Sequence, residues 1–408
     1  MSGPERVPVS ALANAVTRRP RPLFDPDVER HAPAIRAAIA GRRVLAIGGA
    51  GSIGSACVRE LLPFRPAALT IVDQDENALV ELVRDLRSGD ELGDTALTTA
   101  PLDFGAGVMR QFLAASASFD LVLHFAANKH VRAERDRFSL LQMLETNVLK
   151  TRRLLRWLAG AGFAGRFFPV STDKAANPTN LLGASKRLME MLAFADGALP
   201  DASVTSARFA NVAFSNGSLL CGFLHRLDRG QPLAVPTDTR RWFVTPREAG
   251  QLCLLAATIA PPRTCVIPRL DAGRDLVQLT EVADLVVRAC GHEPRHCTSE
   301  AEARRAAAHP VPGVWPVLHT PRDTGGEKEA EEFLAEGEAP IEIGCAALRG
   351  IPMPARPIPE LQTLLDDLEA ELQRATGNLD AAAITRRIGA LLPGFAHASS
   401  ERHLDQRM

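Results

Sequence analysis

"VLAIGGAGSIGSACVREL", residues 44–61, joins an apolar run to an amphipathic one through Gly48, Gly51 and Gly54. Each glycine has its own physical task in such a turn. One permits the tight reversal after a strand, one lets the backbone approach a pyrophosphate, and one lets the helix pack on the strand. Ser52 and Ile53 open the helix, where free N–H groups and the positive end of the dipole face a phosphate. A glycine triplet alone is a weak sign, and its place between strand and helix strengthens it. Asp73 ends the next apolar run, "LTIVD", nineteen residues after Gly54. A carboxylate there accepts hydrogen bonds from adenosine ribose hydroxyls and repels a 2′-phosphate, which favours NAD over NADP.

Working outward, the alternation repeats. "RVLAIGG", "ALTIVD", "ALTTAPLD", "FDLVLHFAA", "GRFFPVS" and "SVTSARFANV" are six apolar runs separated by amphipathic segments. Continuous apolar strands between helices predict an α/β fold with a doubly wound parallel sheet covered on both faces. The expected organisation is an N-terminal extension over 1–40 and a nucleotide-binding domain over 41–210. A smaller substrate-binding part follows over 211–350, then a helical tail over 351–408. The tail holds "PELQTLLDDLEAELQRATG" and "LDAAAITRRIGALLPGF", both with apolar residues at helical spacing. They pack either on the body or on another subunit, and a homo-oligomer is expected.

The chain has 408 residues, 46% hydrophobic and 23% charged, enough for a large α/β domain with additions. A net charge of -1 gives no support for nucleic-acid or anionic-membrane binding. The basic run "RRPRP", Arg18 to Pro22, reads as a solvated tail. Seven cysteines lie far apart with no CxxC pair, so no metal is expected and the thiols read as buried and reduced. No run reaches the ~18 apolar residues of a membrane span. The first residues lack an apolar signal-peptide core. A soluble, cytoplasmic protein is expected.

Further residues fit a bound dinucleotide. Asp103 ends the third strand, where it meets an adenine amino group or simply forms a turn. Ala126 and Ala127 are small enough for backbone to lie against a nicotinamide ribose; Lys129 and His130, which follow, are candidates for the substrate, Lys129 for the cofactor as well. Asn147 is a poor helix former placed in a helix. It either braces the sheet near the site or is an ordinary exposed residue.

The glycine spacing, "AANKHV", "STDKAANPTN", "GASKR", "RFANVAFSNGS", "RRWFVT" and "DTGGEKEAEEF" together resemble the extended short-chain dehydrogenase/reductases. More narrowly they resemble the UDP-N-acetylglucosamine 4,6-dehydratases of bacterial surface-glycan biosynthesis. The resemblance covers roughly residues 40–345 and implies a Rossmann-like domain. It also implies an internal redox cycle. Hydride leaves C4 of the sugar, water is lost across C5 and C6, and the hydride returns to C6. The product is a 4-keto-6-deoxy sugar nucleotide.

By this resemblance Asp173 protonates the departing C6 hydroxyl, and Lys174 takes the C5 proton with a lowered pKa. Thr172 hydrogen-bonds the C4 oxygen, and Lys186 holds the nicotinamide ribose. In short-chain dehydrogenases a Tyr stands one helical turn before this Lys. Here the place is Leu182, and the chain has no Tyr at all. The C4 proton is expected to pass through Thr172 to Lys174 or Lys186.

On the substrate side, Asn211, Ser215 and Ser218 follow the sixth strand, and Ser218 opens a helix that could face a diphosphate. Arg241 offers a bidentate fork to phosphate. Glu327 and Lys328 are candidates for the nucleotide. Two other readings stand beside the dehydratase: an NAD-dependent nucleotide-sugar epimerase, and a non-catalytic NAD-binding sensor or scaffold.

Overall fold

A computed structural model describes residues 7–129, 136–199, 202–322, 326–374 and 380–392, with 394, 395 and 397. Six parallel strands form as the alternation predicts: β1 (Arg43–Ile47), β2 (Ala68–Val72), β3 (Ala96–Ala100), β4 (Leu121–His124), β5 (Arg166–Pro169) and β6 (Ser203–Ala207). They order as β6-β5-β4-β1-β2-β3, the doubly wound arrangement. The order reverses between β1 and β4, so a crevice for a ligand opens at their C-terminal ends.

The chain beyond Asn211 does not stay in a separate unit. Strand Thr264–Pro268 pairs in parallel with β6, and Leu348–Pro352 and Ile341–Glu342 extend the same sheet antiparallel to nine strands. Thus the 211–350 segment, expected as a substrate part, also lends strands to the nucleotide-binding sheet. Two three-stranded sheets sit outside it. One contains Asn211–Val212, Arg240–Val244 and Leu276–Gln278; the other contains Leu233–Pro236, Glu293–Cys297 and Val314–Thr320.

The N-terminal extension folds onto the body. Its helices are α1 (Val9–Thr17) and α2 (Asp25–Ile39). The basic run between them is not solvated at Arg19, whose buried guanidinium bonds both oxygens of Glu248 and one of Asp275. Burial of a charge is tolerable only with such pairing. Glu248 also completes the capping box of helix Pro246–Thr258 with Thr245. Both Asp27 oxygens accept backbone N–H bonds from Ala346 and Ala347, tying α2 to the last strands. His31 and Cys345 lie beside Asp27, and the carboxylate helps burial push the Cys345 thiol up to about 12.

The helical tail packs on the body, through Pro359–Leu372 and Ala381–Leu391. Leu361, Leu364, Leu365, Leu368, Ile384 and Ile388 join one apolar cluster with Leu140, Leu144 and Val148. Arg152 and Arg153 pair with Glu369 across that contact. Every cysteine among the described residues is free, and five of the seven are buried. No helix among the described residues is long and apolar enough to cross a membrane.

Candidate active site

Two of the glycine turn's three tasks are visible at atomic distance. Gly48 has φ +72°, and a Cβ there would lie 2.5 Å from the Ala126 nitrogen, so β4 exits directly against the turn. A Cβ on Gly54 would lie 2.4 Å from the Gly48 carbonyl, so helix α3 (Ser52–Leu61) packs on the loop. Gly51 is different. Only the Gly48 carbonyl, at 3.4 Å, lies within reach of a Cβ there, and no side chain caps the α3 N-terminus. That open cradle of backbone N–H groups fits a pyrophosphate. Asp73 accepts from the Ala50 and Asp75 amides, which fixes the cradle's edge. Ser52 accepts from the Asn216 amide, joining the cradle to the loop after β6. Ile53 is half-buried against the sheet.

A contrast of two substitutions tests these roles. Gly48→Ala forces a left-handed, clashing conformation costing at least about 1–3 kcal/mol of stability. Gly51→Ala is expected to leave the melting temperature near wild type but abolish NAD binding in calorimetry. Equal losses of stability would refute the division of tasks.

The remaining dinucleotide candidates line the same sheet edge. Asp103 accepts from Lys150 at 2.5 Å and from the Gly105 amide, and these bonds outweigh burial to hold its carboxyl below the usual range. Ala126 and Ala127 are half-buried just after β4, and Lys129 follows them, exposed. His130 lies outside the described residues. Asn147 is buried in a π-helical turn, Glu145–Leu149, between α6 (Arg137–Leu144) and α7 (Lys150–Gly160). Its amide bonds both the N–H and C=O of Asn128 and donates to Ser185. The bracing reading of Asn147 therefore holds, and the exposed one does not.

The stretch after β5 is pinned by backbone bonds to β6 and its exit: Ser171 N–H to Ala207 and Asp173 N–H to Phe209. Asp173 is 1% exposed. Its Oδ1 accepts from the Thr172 hydroxyl at 2.9 Å, the Lys174 amide at 2.9 Å and Lys174 Nζ at 3.2 Å. Its Oδ2 is buried and has no protein partner among the described residues. Helix α8 (Leu181–Ala193) begins at Asn180, whose side chain caps Gly183. A Cβ on Gly183 would lie 2.4 Å from the Lys174 carbonyl, so that glycine lets α8 seat against the Asp173–Ala175 turn.

The two lysines have opposite electrostatics, and this corrects the expectation for Lys174. Burial opposes the Lys174 charge, but the Asp173 and Glu331 carboxylates outweigh it and raise its pKa. Lys186 is 5% exposed, and burial drops it to about 8 despite Glu190 nearby. Its Nζ lies 3.3 Å from Met189 Sδ, a weak acceptor. The lowered amine is therefore Lys186. Leu182, one turn earlier, is buried in the apolar cluster and offers no proton.

On the substrate side, Asn211 donates to the Trp242 carbonyl. The Ser215 carbonyl accepts from the Ser218 amide, and the Ser218 hydroxyl caps helix Leu219–Asp228. Arg241 is buried. It donates to the carbonyls of Arg240, Lys328 and Glu329 and to the Glu327 carboxylate at 2.7 Å. Two residues expected to meet substrate separately are thus bonded to each other. Lys328 pairs with Glu332. The reading of residues missed Glu331, although "GGEKEAEEF" contains it. It also missed the Glu190–Arg208 pair behind Ser171.

Known proteins are similar to this chain in sequence and fold. A family described as "Polysaccharide biosynthesis protein" matches residues 44–311. The capsular polysaccharide biosynthesis protein CapD of Staphylococcus aureus is 30% identical over 265 residues, 62% of this chain and 41% of its own length. This chain thus spans less than half of that relative. The solved structure of Pen from Bacillus thuringiensis superposes with a TM-score of 0.61 at 21% identity, covering 78% of this chain and 88% of Pen. WbmF of Bordetella bronchiseptica, solved in complex with NAD+, gives 0.50 at 17% identity, over 66% of this chain and 88% of its own. The two structures share the fold. With a match over well more than half its length, this chain is an extended short-chain dehydrogenase/reductase of the polysaccharide biosynthesis protein family.

Proposed function

We propose that this chain is an NAD-dependent nucleotide-sugar 4,6-dehydratase acting on UDP-N-acetylglucosamine or a similar nucleoside-diphosphate hexose. The observation that carries this reading is Asp173. It is a buried carboxylate with one oxygen held by Thr172 and Lys174 and the other without a partner among the described residues. Epimerisation at C4 needs no acid to expel a hydroxyl, whereas elimination does. CapD's role in capsular polysaccharide and WbmF's NAD+ support the product class and the cofactor.

The open cradle at Gly51 and the α3 N-terminus would hold the NAD pyrophosphate, with Asp73 on the adenosine ribose. Bound there, NAD would supply the hydride chemistry between C4 and C6. The protein supplies the proton chemistry. Lys186, neutral above about pH 8, takes the C4 hydroxyl proton, directly or through Thr172. A single transfer of the Lys174 proton across 3.2 Å to Asp173 arms both groups. The resulting amine takes the C5 proton, and the resulting acid protonates the C6 hydroxyl, which leaves as water. Lys174 then returns a proton to C5. Lys186 has gained the one proton that Asp173 has lost, and solvent re-equilibrates them.

Incubation with UDP-N-acetylglucosamine in deuterated water, followed by NMR, tests the reading. Loss of the C6 hydroxyl with deuterium at C5 is expected. A changed ring configuration without loss of water would replace this reading with an epimerase. Bound NAD without any turnover would point to a sensor or scaffold.

A further inference from the structure

The segment after Gly326 forms a built wall over the catalytic turn. Gly326 has φ +68°, and a Cβ there would lie 2.5 Å from the Thr179 carbonyl. Thr179 and Asn180 both donate to the Gly326 carbonyl, so the segment is docked on the start of α8. From the other side, Arg241 holds the Lys328 and Glu329 carbonyls, and Trp242 donates to the Glu331 carbonyl. This docking brings Glu331, 4% exposed, to 3.6 Å from Lys174 Nζ. The ammonium therefore lies between two carboxylates, Asp173 and Glu331.

We propose that Glu331 is a positioning residue of this site: it holds the Lys174 ammonium against Asp173 and keeps that pair loaded with one proton while Lys186 is free. The inference rests on the dehydratase reading. Lys174 and Asp173 can exchange roles as amine and acid only while they share a proton. Once that proton escapes to solvent, Asp173 has nothing to give the C6 hydroxyl. A second carboxylate opposes the escape, because it stabilises the charged lysine. The groups facing Lys174 are Asp173 and Glu331, which favour its charge, and Arg241, which opposes it. Burial pushes the Glu331 carboxyl up and Asp173 adds to this, while Lys174, Arg241 and Lys328 favour its ionised form.

The test is the pH profile of C6 deoxygenation and C5 deuterium incorporation, for wild type, Glu331→Gln and Glu331→Asp. Above the limb that Lys186 sets near 8, wild type is expected to hold its activity until strongly basic pH. Glu331→Gln should bring that basic limb down by about one pH unit or more, with KM little changed. Glu331→Asp, which keeps a shorter carboxylate, should fall between. Melting temperature and NAD affinity are measured alongside, and if the Gln variant does not fold, the Asp variant alone must show the shift. A basic limb identical in wild type and in the folded variants overturns the role of Glu331 and leaves the dehydratase reading intact. Failure of wild type itself to release water overturns both.

Discussion

Lys186→Met is expected to lower turnover by about 100-fold or more, the typical weight of a positioned acid–base group. Rate loss alone would not identify the role, because the family resemblance also implies that this lysine holds the nicotinamide ribose. The pH profile does. In wild type the rate should rise with pH through about 8, as the buried ammonium becomes an amine. The sign follows from burial, which penalises the charged form and so depresses a lysine. Glu190 opposes the depression, and His124, itself dropped to about 3 by burial and by Lys186, stays neutral and adds no competing limb. Lys186→Met should erase the limb near 8 from whatever activity remains. A variant that keeps the limb would place the C4 base elsewhere. Leu182→Tyr, one turn earlier on α8, offers a phenol to the same region and is expected to restore part of the rate in the Lys186→Met background.

Much of this site was legible because its signals are local. The Gly48, Gly51 and Gly54 spacing encodes a strand–helix turn, and Gly48 and Gly54 sit where a Cβ would clash. Asp173 and Lys174 are adjacent, so no fold was needed to join them. What escaped depends on partners far along the chain. Arg19 is buried because Glu248 lies 229 residues away, and no composition window can see that pairing. The return of Thr264–Pro268 to the sheet is a nonlocal pairing, decided by the free edge of β6 rather than by the segment's own pattern. Glu331 looked like one acidic residue among several until Gly326 docked its segment on α8. The two lysines show the same limit. Lys174 follows an Asp and Lys186 precedes an Arg in sequence, but only packing reveals that a second carboxylate, Glu331, faces one while Met189 faces the other. Asn147 had two readings, and only its contact with Asn128 and Ser185 chose between them.

Arg208→Met is expected to destabilise the protein by about 3–5 kcal/mol, because it leaves a buried carboxylate without its cation. Arg208 and Glu190 are both fully buried, and their charged groups meet at 2.8 Å. Glu190 also accepts from Ser171, next to the catalytic stretch, and Glu338 and Arg187 complete the network. Burial alone would raise the Glu190 carboxyl, but Arg208, Arg187 and Ser171 bring it down to about 2. The folded value lies below the unfolded one of about 4.3. The pair's contribution is therefore complete above that pH and is lost as pH falls toward 2. In Arg208→Met the Glu190 carboxyl should rise, so acid unfolding begins at higher pH and the melting temperature at neutral pH drops by about 4–6 °C. The double variant Arg208→Met with Glu190→Leu removes one charge of each sign and leaves Arg187 paired with Glu338. It is expected to recover most of the lost stability, since a buried pair exchanged for apolar groups of similar size is often neutral. It also removes the acceptor of the Ser171 hydroxyl, so turnover should recover less than stability does. Calorimetry and the turnover assay on the same samples separate the two. A single variant that loses under about 1 kcal/mol would show that the network is a surface-like pair rather than the anchor of the catalytic strand end.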